Sequence, residues 1–426
     1  MAKIMIWPDI YREQGHWLPC ISLANTLKSS PGGSHEVEFM GIPDNQFIVD
    51  GYGGTFRTIL SKIYPVGHSD ENKLEPLDQR WKPHHLFPMA NGDPDALGTL
   101  FTATATKPNL LVSGYFTGLE TLLIHYKYGI PFVLITTYLR HPCDRPCLHA
   151  KTKLLYMQKA VSRALIDAVV PASKKGMSID EFVKPLSTYP EIIPCPKEFD
   201  FTDTDWNWKT QPSVSYVEPM IARSSLGQNK VPSDPTVIPS NRKLIFGTSG
   251  SQVQDYEFRA FQFFKNLIAM MQTDKMTDYY LVLAVGSKLA AQLNAEYKTS
   301  EGKLSNAAWY PWVSQLDVVR QAEVVFMHGG LATIKESIWE QVPIVIVPHG
   351  KDQMDNALRI QRAGIGVVSD ISELTPTDLR TLLTKATSDT WIKQNLKKMK
   401  DAFATAENTK TSLNAISKAL SQPPAA

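Results

Sequence analysis

The stretch from Val324 to Gly366 constrains the fold more than any other part of the chain. A short apolar run, Val324-Val325-Phe326, reaches Met327-His328-Gly329-Gly330, and a helix-like segment follows from Leu331 to Glu340. A second apolar run, Val342 to Pro348, meets His349-Gly350-Lys351-Asp352-Gln353, and another helical pattern comes after it. Short apolar runs bounded by glycine and proline predict strands, and longer segments with helical spacing predict helices. The order is therefore strand, glycine turn, helix, strand, polar loop, helix. In open α/β sheets of this kind, ligands bind beyond the carboxyl ends of the strands.

The residue types at those strand ends suit a phosphorylated sugar. Paired glycines allow a tight turn and bring the amides of the next helix start, Gly330 onward, to phosphate oxygens. His328 adds a side-chain donor to the same phosphates, and the Thr333 hydroxyl is placed to do likewise, with helix capping as its competing reading. Glu336 within the helix, and Asp352 and Gln353 beyond the next strand, are a carboxylate pair and an amide suited to sugar hydroxyls.

Just upstream, Trp312-Val313-Ser314-Gln315-Leu316-Asp317 opens the same block. From Tyr310 to Gly366 the chain resembles the nucleotide-sugar signature of family 1 glycosyltransferases, especially the bacterial macrolide and natural-product branch. The family's aromatic-Val-Pro-Gln-Leu opening has Ser314 in place of proline. The His-Gly-Gly, the helix Glu336, the Val-Pro strand and Asp352-Gln353 with Asn356-Ala357 follow in register. The resemblance implies an α/β protein of two facing Rossmann-like domains, the GT-B glycosyltransferase fold. It also implies that Trp312 stacks on the nucleotide base, with Val313 and Gln315 beside it.

A chain of 426 residues exceeds one ordinary core and fits two domains of roughly 200 residues. The divisions expected are an acceptor-binding domain at 1–219, a linker at 220–241 and a nucleotide-sugar domain at 242–400. Residues 401–426 would form a helix returning to the first domain and a tail. A formal charge of +2 makes no electrostatic case for nucleic acid. Four cysteines are too few for a disulfide scaffold and fit a reducing, cytoplasmic setting. Met1 to Trp7 reads as a first strand rather than a signal peptide. No run of about twenty apolar residues occurs, which leaves room only for loose contact with a membrane surface. Oligomeric state is not readable.

In the amino-terminal half, Lys3 to Trp7 predicts a strand and Trp17 to Leu27 a helix, with His16 where the loop meets the helix. The resemblance assigns Gly15-His16, followed by Pro19, to the family's general base, and a neutral imidazole suits removal of a proton from an attacking hydroxyl. Pro108 to Gly114 resembles the strand whose end normally carries an aspartate that orients this histidine. Gly114 stands there instead. Asp9 or Glu120 from another loop, an intrinsically acidic acceptor, or a different role for His16 are the alternatives. Aromatics at Tyr52, Phe56, Tyr64, Trp81 and Phe87 either line an acceptor pocket or pack beneath irregular loops. His141, Cys143, Cys147 and His149 have zinc-compatible spacing but no second ligand cluster, and an ordinary loop is expected.

Lys243 to Gly250 predicts a strand and a glycine loop in which Ser249 reaches the diphosphate. No Gly-x-Gly-x-x-Gly and no phosphate loop ending in Gly-Lys-Ser/Thr occurs, which disfavours a nicotinamide dehydrogenase. The resemblance thus implies an inverting, metal-independent glycosyltransferase with no cofactor. It would use a UDP-sugar or dTDP-sugar as co-substrate and a small lipophilic molecule as acceptor. The alternatives are an inactive nucleotide-sugar-binding protein and a sugar-nucleotide epimerase or hydrolase on the same fold.

Overall fold

The structure is a computed structural model that describes residues 1–29, 35–69, 83–103, 106–141, 144–202, 213–222, 239, 241–250, 253–369 and 374–421. It forms two compact units. The first comprises Met1–Cys195, Thr202–Gly227 and Ala406–Ala426, and the second Pro196–Phe201 and Gln228–Thr405. Trp81, Cys143, most of the expected linker and the tail beyond Ser421 lie outside the described residues.

The first unit is built on seven parallel strands, β1 (Lys3–Trp7), β2 (Glu36–Gly41), β3 (Thr55–Thr58), β4 (Leu110–Gly114), β5 (Phe132–Ile135), β6 (Glu191–Ile193) and β7 (Val214–Tyr216). Their spatial order is β3-β2-β1-β4-β5-β6-β7. The central strands β1, β4 and β5 are buried on both faces, so they are nearly continuous apolar runs, whereas the edge strand β3 is polar and largely exposed. Ile4 and Ile6 point into one core with Trp17, Leu27 and Val112, while Met5 and Trp7 point into the other with Leu111, Leu119 and Phe132.

The last helix, Thr411–Leu420, belongs to the first core through Ala415, Ile416 and Ala419. Its amino end is held by Glu218, which is 2% exposed. That carboxylate accepts the backbone N–H of Ser412 at 3.2 Å and also bonds the Ser412 hydroxyl. A carboxylate in this place satisfies the free amides and positive end of a helix.

The second unit has six parallel strands, β8 (Lys243–Thr248), β9 (Tyr279–Ala284), β10 (Ala307–Tyr310), β11 (Ala322–Met327), β12 (Ile344–Ile346) and β13 (Gly366–Val368). They lie in the order β10-β9-β8-β11-β12-β13. The helix Glu257–Met271 buries Ala260, Phe263, Phe264, Leu267, Ile268 and Met271. Their spacing of three and four residues makes one apolar stripe. Thr375 and Asp378 form a reciprocal capping box with Pro376 in the first helical turn.

Pro196–Phe201 is grouped with the second unit, although the sequence suggests a boundary near 219. A buried ion pair ties this segment to the helix Gln353–Ala363. Asp200 Oδ1 accepts from Arg359 Nε at 2.7 Å, both residues are at most 1% exposed, and the guanidinium lies 4.5 Å from the centre of the Phe201 ring. No helix among the described residues is long and apolar enough to cross a membrane.

Candidate functional site

Each sheet reverses its strand order once, between β1 and β4 in the first unit and between β8 and β11 in the second. Crevices form at such switch points because the connecting loops diverge to opposite faces. The expected site residues gather there.

In the first unit, β1 runs out through Pro8 and Asp9 to the helix Gln14–Lys28, on which His16 sits in the first turn. His16 Nδ1 lies 2.5 Å from Asp9 Oδ2 and 3.5 Å from Glu13 Oε2. The Asp9 carboxylate is held in turn, because its Oδ1 accepts the backbone N–H of Tyr11 at 3.1 Å. The expected position for an orienting aspartate is closed. A Cβ on Gly114 would fall 1.7 Å from the carbonyl oxygen of Pro8. Glu120 is engaged elsewhere, accepting from His85 Nε2 at 2.9 Å with Lys153 at 3.7 Å. Asp9, Glu13 and His16 also form the one grouping among the described residues whose ligand atoms, within 4.8 Å of one another, could hold a metal ion.

Beside His16 stands the Phe116 ring, 5.5 Å away between centroids and 37% exposed. Tyr138 stacks on Phe116 at 5.7 Å, and His149 meets it edge-on at 5.4 Å. Burial first, then Lys153, hold His149 at about 4, so it is a neutral ring within an aromatic wall. Sequence reasoning missed Phe116. The switch-point rule would have found it, since it lies two residues past the end of β4. The aromatics singled out instead belong to the interior: Tyr52, Phe56 and Phe87 pack on the cores, and Tyr64 is buried with its hydroxyl 2.8 Å from His85 Nδ1.

In the second unit, His328 follows the last residue of β11, and the helix Leu331–Glu340 starts directly after Gly330, its N-cap, which has no side-chain cap. Gly329 takes φ +105°, which favours glycine. His328 is 6% exposed, and burial first, then His349 and Lys351, hold it at about 3. It is therefore a neutral ring. A Cβ on either Gly250 or Gly330 would lie 2.6 Å from its Nε2. Two bare backbone turns thus flank that nitrogen, and neither can carry a side chain without displacing it.

The neighbouring residues form a connected set. Gln315 Nε2 donates to Thr333 Oγ1 at 3.1 Å and to Glu336 Oε2 at 2.5 Å. Thr333 and Glu336 lie one turn apart on one helix face, so a single amide reaches both. Thr333 is thus not the helix cap. Burial raises Glu336 to about 7, against the opposing effect of Gln315. Trp312 is 37% exposed at the head of this set.

Three expected contacts are altered. The Val313 side chain is 3% exposed and belongs to the core, leaving only its backbone for a ligand. Ser249 is fully buried with its hydroxyl 3.0 Å from His349 Nε2, so its side chain is turned into the protein. Gln353 is 3% exposed, and its Oε1 accepts the N–H groups of His349 at 2.7 Å and Gly350 at 3.0 Å. That oxygen holds the turn, and any sugar contact falls to its Nε2. Asp352 accepts from Asn356 Nδ2 at 3.0 Å, and burial raises its carboxyl.

Residues 250–414 match the glycosyltransferase family 28 C-terminal domain. The glycotransferase of kitacinnamycin superposes with a TM-score of 0.66 at 19% identity, covering 98% of this chain and 99% of that one. The chain has the GT-B glycosyltransferase fold. VinC, solved in complex with dTDP, is similar at a TM-score of 0.61 and 16% identity, over 98% of this chain and all of that one. Among curated proteins, the uncharacterised UDP-glucosyltransferase YojK of Bacillus subtilis (strain 168) is 24% identical over 49% of this chain and 47% of its own. The chain thus spans about half the length of that relative. The fold that the sequence resemblance implies, an α/β protein with two parallel-sheet domains of the GT-B kind, holds.

Proposed function

We propose that this protein is an inverting, metal-independent glycosyltransferase that moves a hexose from a UDP-sugar or dTDP-sugar to a small lipophilic natural-product acceptor. The observation that carries the reading is the second unit's switch point. There an uncapped helix start, two bare glycine turns and a neutral histidine converge. Such a corner suits a diphosphate through amides and the helix dipole. Trp312 would cover the base, Glu336 the ribose, and Asp352 with Gln353 the sugar.

His16 would take the proton from the acceptor hydroxyl as its oxygen bonds to the anomeric carbon. The bond from that carbon to the diphosphate breaks, and the nucleoside diphosphate leaves with the electron pair. The His328 ring and the amides after Gly330 would stabilise the charge developing on it. The exposed Phe116 ring beside His16 favours an apolar, flat acceptor. YojK, named as a UDP-glucosyltransferase, and VinC, solved with dTDP, support uridine and thymidine donors respectively.

The test is mass spectrometry of protein incubated with UDP- and dTDP-sugars and phenolic, macrolide and sterol-like acceptors, with and without EDTA. A product heavier by one sugar, unaffected by EDTA and lost in His16→Ala, is the expected result. Release of nucleoside diphosphate without acceptor would favour a hydrolase. Donor binding with no product from any pair would favour a protein that only binds.

A further inference from the structure

We infer that Asp9 is the positioning residue for His16, in place of a carboxylate at the end of β4. This rests on the reading of His16 as the base. Its support is local geometry. Pro8 and Gly114 are the residues just past the paired strand ends Trp7 and Ser113. The two backbones come so close that a side chain at 114 would overlap the Pro8 carbonyl oxygen, at 1.7 Å from the Cβ. The loop that fills this space also turns its next residue, Asp9, inward to 4% exposure.

Both oxygens of that carboxylate have partners. Oδ1 accepts the Tyr11 N–H at 3.1 Å, and Oδ2 faces His16 Nδ1 at 2.5 Å. Asn45, itself buried, fixes the loop from behind by donating to the Ile10 carbonyl at 2.9 Å. Glu13 is the other carboxylate near the ring, but at 3.5 Å it is the more distant of the two and the more exposed. A carboxylate at Nδ1 can only accept, so it fixes the Nδ1–H tautomer and leaves the Nε2 lone pair to take the acceptor's proton. It also stabilises the imidazolium that forms. The pair lies seven positions apart, so carboxylate and imidazole are carried by one loop and one helix start, with no side chain required from β4.

Two measurements test this. The first needs no substrate: long-range proton–nitrogen spectra of protein labelled with 15N-histidine, with His16 assigned by its absence in His16→Ala. The neutral wild-type ring should show the Nδ1–H pattern and Asp9→Ala the Nε2–H pattern. An unchanged tautomer in Asp9→Ala overturns the inference. The second is turnover of UDP-glucose with 4-methylumbelliferone as acceptor. Asp9→Ala should lose on the order of 10²-fold or more in kcat with the KM for UDP-glucose little changed. Formate, a small carboxylate, should restore part of that loss, which it could not do for a purely structural defect. An active Asp9→Ala beside an inactive His16→Ala overturns the role of Asp9 alone. Activity in His16→Ala overturns the base reading itself. Collapse of kcat in Glu13→Gln but not in Asp9→Ala would transfer the role to Glu13 and overturn the inference.

Discussion

Glu336→Gln should make the protein more stable in alkali and remove a pH dependence that the wild type carries. Glu336 is 9% exposed and its carboxyl is raised by burial from 4.5 to about 7. The folded protein therefore holds a proton that the unfolded chain has released over this range. Stability from that proton is full below pH 4.5, declines as pH rises, and is lost once pH passes 7. Displacement from 4.5 to about 7, at roughly 1.4 kcal/mol per pH unit, makes the loss about 3 kcal/mol. Glutamine cannot ionise but keeps an oxygen to accept from Gln315.

The assay is thermal unfolding of wild type and Glu336→Gln at half-unit steps from pH 4.5 to 8.5, following the transition of the second unit. Each kcal/mol shifts the midpoint of a domain of this size by about 2–4 °C. The variant should match the wild type near pH 4.5 and exceed it by roughly 6–12 °C at pH 8. Two parallel profiles with a constant offset would refute the reasoning, because the residue would then be ionised or solvated in the folded protein as in the unfolded chain.

Two further outcomes are expected. Trp312→Ala should weaken UDP binding, measured by calorimetry, by about 1–3 kcal/mol if its exposed ring stacks on the base; an unchanged affinity would remove it from the site. Arg359→Leu should destabilise the second unit by roughly 3–5 kcal/mol, because the buried Asp200 carboxylate would lose the guanidinium that faces it, and scanning calorimetry showing less than 1 kcal/mol would contradict the pairing.

Strands and the larger helices were legible because the chain is patterned for a sheet buried on both faces. Lys3 to Trp7, Lys243 to Thr248 and Leu331 to Glu340 occupy the spans that their apolar runs predict. His328, Gly330, Gln315, Thr333 and Glu336 gather because each lies at a fixed offset from a strand end. What could not be read was the direction of individual side chains. The direction of Ser249 depends on His349, a hundred residues later, and Val313 differs from Trp312 only in which side of a loop it takes. Gly114 shows the same limit in reverse. A missing carboxylate is visible in a sequence, but the neighbour that forbids it and the residue that replaces it are properties of two strand ends meeting in space.

The bond between Glu218 and Ser412 bears on how this chain could be recombined with others. Because the closing helix completes the core of the first half, a hybrid that exchanges the second sheet must cross over twice, once before Lys243 and again before Thr411. A single crossover would import a foreign closing helix. If that helix lacks a hydroxyl at 412, Glu218 keeps only the backbone donor, and larger residues at 415 and 419 would overfill the core they now complete. Libraries built to exchange the second sheet between scaffolds should therefore treat Thr411–Leu420 as inherited from the parent that supplies the first unit.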